Sequence, residues 1–153
     1  MGWCDHNPAT KIKKPIVKSA PVIPFTPDEY KNILSAIDRD PTKNNQGYDV
    51  RRRLRAFICV LRYTAFRISD AVKLKKSVVV NGRVLIRTQK TEATVHLPLP
   101  KFVLAELKSV GNEEYYFWSA NGKLNSAKSV WQRSLSRLFT LAKVLDTHIC
   151  SAT

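Results

Sequence analysis

Two cations carry the strongest chemical signal in this 153-residue sequence. Arg67 lies in the run Leu61-Arg62-Tyr63-Thr64-Ala65-Phe66-Arg67-Ile68-Ser69-Asp70. Ahead of it, Leu54, Phe57, Ile58 and Leu61 recur at the spacing of one helix face. Behind it, Ser69 and Asp70 are helix-start residue types for a short helix bearing Ala71, Val72 and Leu74. The pattern predicts Arg67 at a helix-to-helix junction, with Asp70 three positions on and on the same face of a turn. A guanidinium fixed in this way offers a planar fork of donors to a phosphate. Lys90 is the second cation, at the expected tip of a β-hairpin, a long charged arm on a projecting support. A lysine at a loop tip is ordinary on its own. Only its combination with Arg67 lifts it above that default.

Other reactive types fit their chemistry less well. Asp28 and Glu29 follow Thr26-Pro27, and a helix-capping box accounts for both. Asp38/Asp40 and Glu113/Glu114 are the remaining paired acids, the minimum for a metal-dependent nuclease, which needs acids converging on its ions. Cys4-x-His6 and His148-x-Cys150 would have to share a zinc across the two ends of the chain, with a spacing atypical of structural zinc.

The elements that must position these groups follow from pattern. Residues 1–24 mix Pro8, Pro15, Pro21 and Pro24 with Lys11, Lys13, Lys14 and Lys18, which disfavours helix and reads as a basic linker able to track a phosphate backbone. The first helix should bury Tyr30, Ile33, Leu34 and Ile37, with Phe25 stapled back onto Tyr30. A polar loop, 41–48, leads to a second helix opened by Arg51, Arg52, Arg53 and Arg55. Four cations in a first turn oppose the helix dipole unless an anion or acid answers them. Val78, Val79 and Val80 should enter a hairpin turned by Asn81-Gly82, with Arg83 to Arg87 returning and Thr94 to Leu97 as a third strand. Pro100 starts a short helix with Val103, Leu104 and Leu107 inward. Tyr115 to Trp118 is an aromatic run suited to stacking on bases, though four together more often belong to a core. The last helix, from near Ser126, should bury Ala127, Val130, Trp131, Leu135, Leu138, Phe139 and Ala142 and show Lys128, Arg133, Arg137 and Lys143 elsewhere.

Composition sets the partner class. Lys and Arg number 26 against 12 Asp and Glu, a formal net charge of +14, which points to a polyanion. Hydrophobic residues at 44% suffice for the core of about one domain. Three cysteines without framework spacing suggest a reduced, cytoplasmic setting. The apolar runs fall far short of the ~20 residues of a membrane span.

Thr64-Ala65-Phe66-Arg67-Ile68-Ser69-Asp70 resembles the first arginine box of the tyrosine recombinases of phage-integrase type, usually T-G-L-R-I-S-E. The resemblance continues through the hairpin at 78–98, where Thr88-Gln89-Lys90-Thr91-Glu92 is similar to the family's lysine hairpin, and upstream from Asn7-Pro8-Ala9 to Ile37. It implies a mainly α, α+β fold with a small three-stranded antiparallel sheet. It implies a reaction in which a tyrosine hydroxyl attacks a DNA phosphodiester, leaving a 3′-phosphotyrosine and a free 5′-hydroxyl, with neither metal nor cofactor. Arg67 would then clamp the phosphate, Lys90 would protonate the departing 5′-oxygen, and Asp70 would orient Arg67 in place of the usual Glu. Arg51, Arg52, Arg87, Lys128, Arg133 and Arg137, with Lys11, Lys13 and Lys14, are the expected contacts to double-stranded DNA, with other recombinase protomers as neighbours on it.

Ala65 and Glu92 each stand where the family usually has glycine. The family's H-x-x-R box and nucleophilic tyrosine have no counterpart in these residues, since Tyr30, Tyr48, Tyr63, Tyr115 and Tyr116 all precede that region and Cys150-Ser151-Ala152-Thr153 stands where the box belongs. Residues 25–153 are therefore expected to be the N-terminal portion of a catalytic domain, inactive as this chain. The competing expectation is a basic DNA- or RNA-binding module without catalysis.

Overall fold

The computed structural model describes residues 24–40, 50–87 and 94–144. Helix α1 (Pro27–Arg39) opens on the expected capping box. The Glu29 amide donates to Thr26 Oγ1 at 3.2 Å, and the Thr26 amide donates to Glu29 Oε2 at 2.7 Å. Two of the amides that a helix start leaves open are satisfied at once, an arrangement in which the cap alone contributes about 1 kcal/mol. Ile33, Ala36 and Ile37 are buried from this helix, and Phe25 sets its ring against Phe139, centroids 5.4 Å apart.

Helix α2 (Val50–Thr64) buries Leu54 and then every residue from Ala56 to Val60. Five consecutive buried residues leave no solvent face over that stretch, which suits a helix packed against neighbours on several sides. Helices α1, α3 (Ile68–Val72) and α4 (Lys101–Lys108) all contact it. The cations of its first turns are answered within the fold. Arg51 donates to the Asp40 carbonyl, Arg53 to the Phe117 carbonyl, and Arg55 to Asp38 at 2.7 Å.

A short 3-10 turn, Lys76–Val78, leads to strands β1 (Val79–Val80), β2 (Arg83–Arg87) and β3 (Thr94–Pro98), an antiparallel sheet in the order β1-β2-β3. Asn81 and Gly82 turn the first hairpin with φ of 50° and 75°, the pair of left-handed residues that a two-residue turn between twisted strands favours. The Leu99 amide donates to the Gly82 carbonyl at 2.9 Å, and a Cβ on Gly82 would stand 3.3 Å from Leu104 Cδ1. The hairpin turn is thereby seated on α4.

The aromatic run belongs to the core. Tyr115, Tyr116 and Phe117 are buried, so stacking on bases is set aside for them. Tyr115 bridges to Lys75, and the Tyr116 amide donates to the Leu74 carbonyl, which fastens this segment to the chain ahead of the sheet. Gly111, at φ 99°, makes the approach feasible, because a Cβ there would lie 2.5 Å from the Tyr115 carbonyl oxygen. Phe57 stacks on Trp131 at 4.0 Å and meets Phe117 edge-on at 4.9 Å.

Helix α5 (Leu124–Leu141) starts two residues earlier than expected and buries Trp131, Leu135, Leu138 and Phe139 against α1 and α3. Val130, expected inside, is 52% exposed. It sits about 100° round the helix from Trp131, outside the stripe that the 131, 135 and 138 spacing defines. The architecture is α+β and mainly α, with one small three-stranded antiparallel sheet. Among the described residues no helix is long and apolar enough to cross a membrane.

Candidate nucleic-acid interface

Arg67 stands where two helices meet. Helix α2 ends in a left-handed step at Ala65, φ 52°, whose amide donates to the Leu61 carbonyl at 3.0 Å. This closes the helix in the way that glycine usually does. Arg67 then caps α3 with extended backbone, φ −66° and ψ 152°, and its carbonyl accepts from the amides of Asp70 and Ala71. The helix thus starts at Ile68, one residue ahead of the Ser69 expected from residue type, and its cap makes no side-chain hydrogen bond. Phe66 and Ile68 are half-buried against the core on either side. Between these anchors Arg67 is exposed, and no described residue forms a hydrogen bond or ion pair with its guanidinium.

A charged fork on a fixed joint with its donors open can receive a planar anion. Residues 24–144 match the Phage integrase family. The chain belongs to that family. No curated protein and no solved structure matches it. For a phage integrase relative, the left-handed φ at position 65 explains why glycine is usual there. Alanine in that region costs about 1–2 kcal/mol relative to right-handed backbone. Ala65→Gly is expected to raise the unfolding free energy by about 0.5–1 kcal/mol, read from urea denaturation, with the gain trimmed by the extra freedom glycine has when unfolded.

The other candidate residues of this integrase chain divide by surroundings. Asp70 is exposed, and no hydrogen bond or ion pair joins its carboxylate to Arg67 or to any other described residue. Lys90, Lys11, Lys13 and Lys14 lie outside the described residues. Arg87 ends β2, with its side chain outside the described set. Lys128 is half-buried and Arg133 exposed on α5, the latter folding back to the Ser129 carbonyl at 3.4 Å. Arg52 is exposed on α2. Arg137 is engaged internally, donating to Asp40 Oδ2 at 2.7 Å, and Arg51 meets the carbonyl of that same residue.

Three of the four paired acids are engaged as well. Asp38 accepts from Arg55, Asp40 from Arg137 and Glu114 from Lys75, so each faces a cation of the protein. The Lys75 ammonium draws the Glu114 carboxyl below its ordinary value. Among the described residues no three His, Cys, Asp or Glu side chains gather as metal ligands would. Cys4, His6, His148 and Cys150 lie outside those residues.

Two of the tyrosine hydroxyls are shifted by their surroundings. Burial, reinforced by the Cys59 thiol 3.5 Å away, pushes the Tyr30 hydroxyl far above its ordinary value, while the Arg62 guanidinium 4.0 Å over its ring opposes the shift. Burial also pushes Tyr116 up. Tyr63 pairs edge-on with Phe102 at the surface, Tyr115 is buried, and Tyr48 lies outside the described residues. One residue with a place at this joint was missed from the sequence. Thr64 bonds at once to the Val60 carbonyl and the Phe66 amide, and its place at the head of the Thr64 to Asp70 run showed neither bond.

Proposed function

We propose that residues 25–153 are the N-terminal portion of a tyrosine-recombinase catalytic domain that grips duplex DNA, with residues 1–24 as a basic linker along the phosphate backbone. The observation that carries this reading is the exposed guanidinium of Arg67, without a partner among the described residues, on a joint held from both sides. Membership of the integrase family and a net charge of +14 support it. In this role Arg67 donates to the non-bridging oxygens of the phosphate, where negative charge grows during strand transfer. Lys90 supplies the proton for the departing 5′-oxygen, and Asp70 answers Arg67 once DNA has brought the two together. Arg52, Lys128 and Arg133 extend the basic surface, and the setting is the cytoplasm.

The 153-residue chain by itself binds without cutting. It contains no H-x-x-R spacing, and burial raises the Tyr30 and Tyr116 hydroxyls above their ordinary values. The test is a fluorescence-anisotropy titration of a labelled duplex against the full chain at rising salt. Binding should weaken steeply with salt, and Arg67→Ala should reduce the log-log slope by about 1, the loss of one phosphate contact. A suicide duplex run on a denaturing gel should show no covalent adduct. An unchanged slope removes Arg67 from the interface, and an adduct removes the claim of inactivity.

A further inference from the structure

We propose that Thr64 is a positioning residue for Arg67: its hydroxyl spans the left-handed step at Ala65 and fixes the direction in which the guanidinium leaves the joint. The inference rests on Arg67 being a phosphate ligand.

The argument is one of hydrogen-bond supply. A hydroxyl has one proton and two lone pairs, so it can donate once and accept at the same time. Thr64 Oγ1 donates to the Val60 carbonyl at 2.7 Å, within the last turn of α2, and accepts from the Phe66 amide at 3.2 Å, beyond the helix end. The bond to Val60 holds the hydroxyl in register with the helix. The bond from Phe66 transmits that register across Ala65 to the residue preceding Arg67.

Downstream, the Arg67 carbonyl is pinned by the Asp70 and Ala71 amides at 2.9 and 3.0 Å. Upstream, among the described residues, the Thr64 hydroxyl is the partner of the Phe66 amide, and the site is half-buried, where water replaces such a partner poorly. A residue in the left-handed region without glycine's freedom also needs its neighbours to hold it there. Arg67 has a long side chain, and groups that must meet a ligand tolerate tilts of only about 10–20° at their base. Freeing the peptide at Phe66 therefore moves the fork without touching it.

Thr64→Val keeps the side-chain shape and deletes the hydroxyl, whereas Thr64→Ser keeps the hydroxyl. In the anisotropy titration Thr64→Val should weaken duplex binding roughly three- to tenfold, the range of one hydrogen bond, and Thr64→Ser should bind as the parent does. In an Arg67→Ala background, Thr64→Val should cause no further loss, because a positioning residue has nothing left to position. A merely structural role would weaken binding equally in both backgrounds, and that result overturns the proposal, as does full binding by Thr64→Val. Repeating the valine substitution on Ala65→Gly keeps a folded sample if the single variant is too unstable. Should Arg67→Ala itself leave binding intact, the phosphate reading fails. Should it weaken binding while Thr64→Val does not, only the role of Thr64 fails.

Discussion

Arg137→Ala is expected to cost the fold about 3–5 kcal/mol, seen as a shifted urea midpoint, before any effect on DNA is considered. Its guanidinium reaches 97 residues back along the chain to Asp40 Oδ2 at 2.7 Å, and the Asp40 side chain is 1% exposed. Removing the cation takes a charged partner from a carboxylate in a poorly solvating site, which is the costly way to break a buried pair. Removing the acid is milder, since Arg137 is 41% exposed and can turn to water. Asp40→Asn combined with Arg137→Ala should therefore be more stable than Arg137→Ala alone. Arg133→Ala, on the exposed surface of the same helix, should change stability by no more than about 0.5 kcal/mol. A loss of DNA binding in Arg137→Ala thus has to be read beside its unfolding curve, whereas the same loss in Arg133→Ala reports on the interface directly.

Phe57→Ala is expected to be comparably severe, about 3–5 kcal/mol, because it opens a cavity where three rings meet. Phe57 is fully buried between Trp131, stacked at 4.0 Å, and Phe117, edge-on at 4.9 Å. Trp131 is also bonded by its indole N–H to the Phe117 carbonyl, and Arg53 bonds to that oxygen and lies 5.5 Å over the Trp131 ring. These ties prevent the neighbours from closing the gap. Against a total stability of about 5–15 kcal/mol, such a loss should lower the melting temperature by about 6–20 degrees in calorimetry. A shift of only a few degrees would mean that the ring cluster relaxes freely.

Local signals in the sequence reached the elements well. Thr26 with Glu29, Asn81 with Gly82, and the 131, 135, 138 stripe each act within a few residues, and each appears where its pattern places it. The junction at Arg67 was legible because apolar helical runs flank it. Long-range partners were not. Nothing local marks Arg137 for Asp40, or Arg53 for the Phe117 carbonyl, so the cations of α2 and α5 read alike until the packing gives some of them partners. Val130 looked like core because it adjoins Trp131, and only the helix rotation excludes it. The left-handed Ala65 was hinted at by a missing glycine, but the part played by Thr64 follows from two bonds that sequence does not display.

The fork of Arg51 grips the Asp40 carbonyl at 3.2 and 3.0 Å, so the residues that bracket positions 41–49 are already brought together by the folded core. Connecting two points that are held in place costs little more as the connector grows, about 0.6 kcal/mol for each doubling. The end of α1 and the start of α2 are therefore held by the core and the Arg51 fork, whatever the length that joins them.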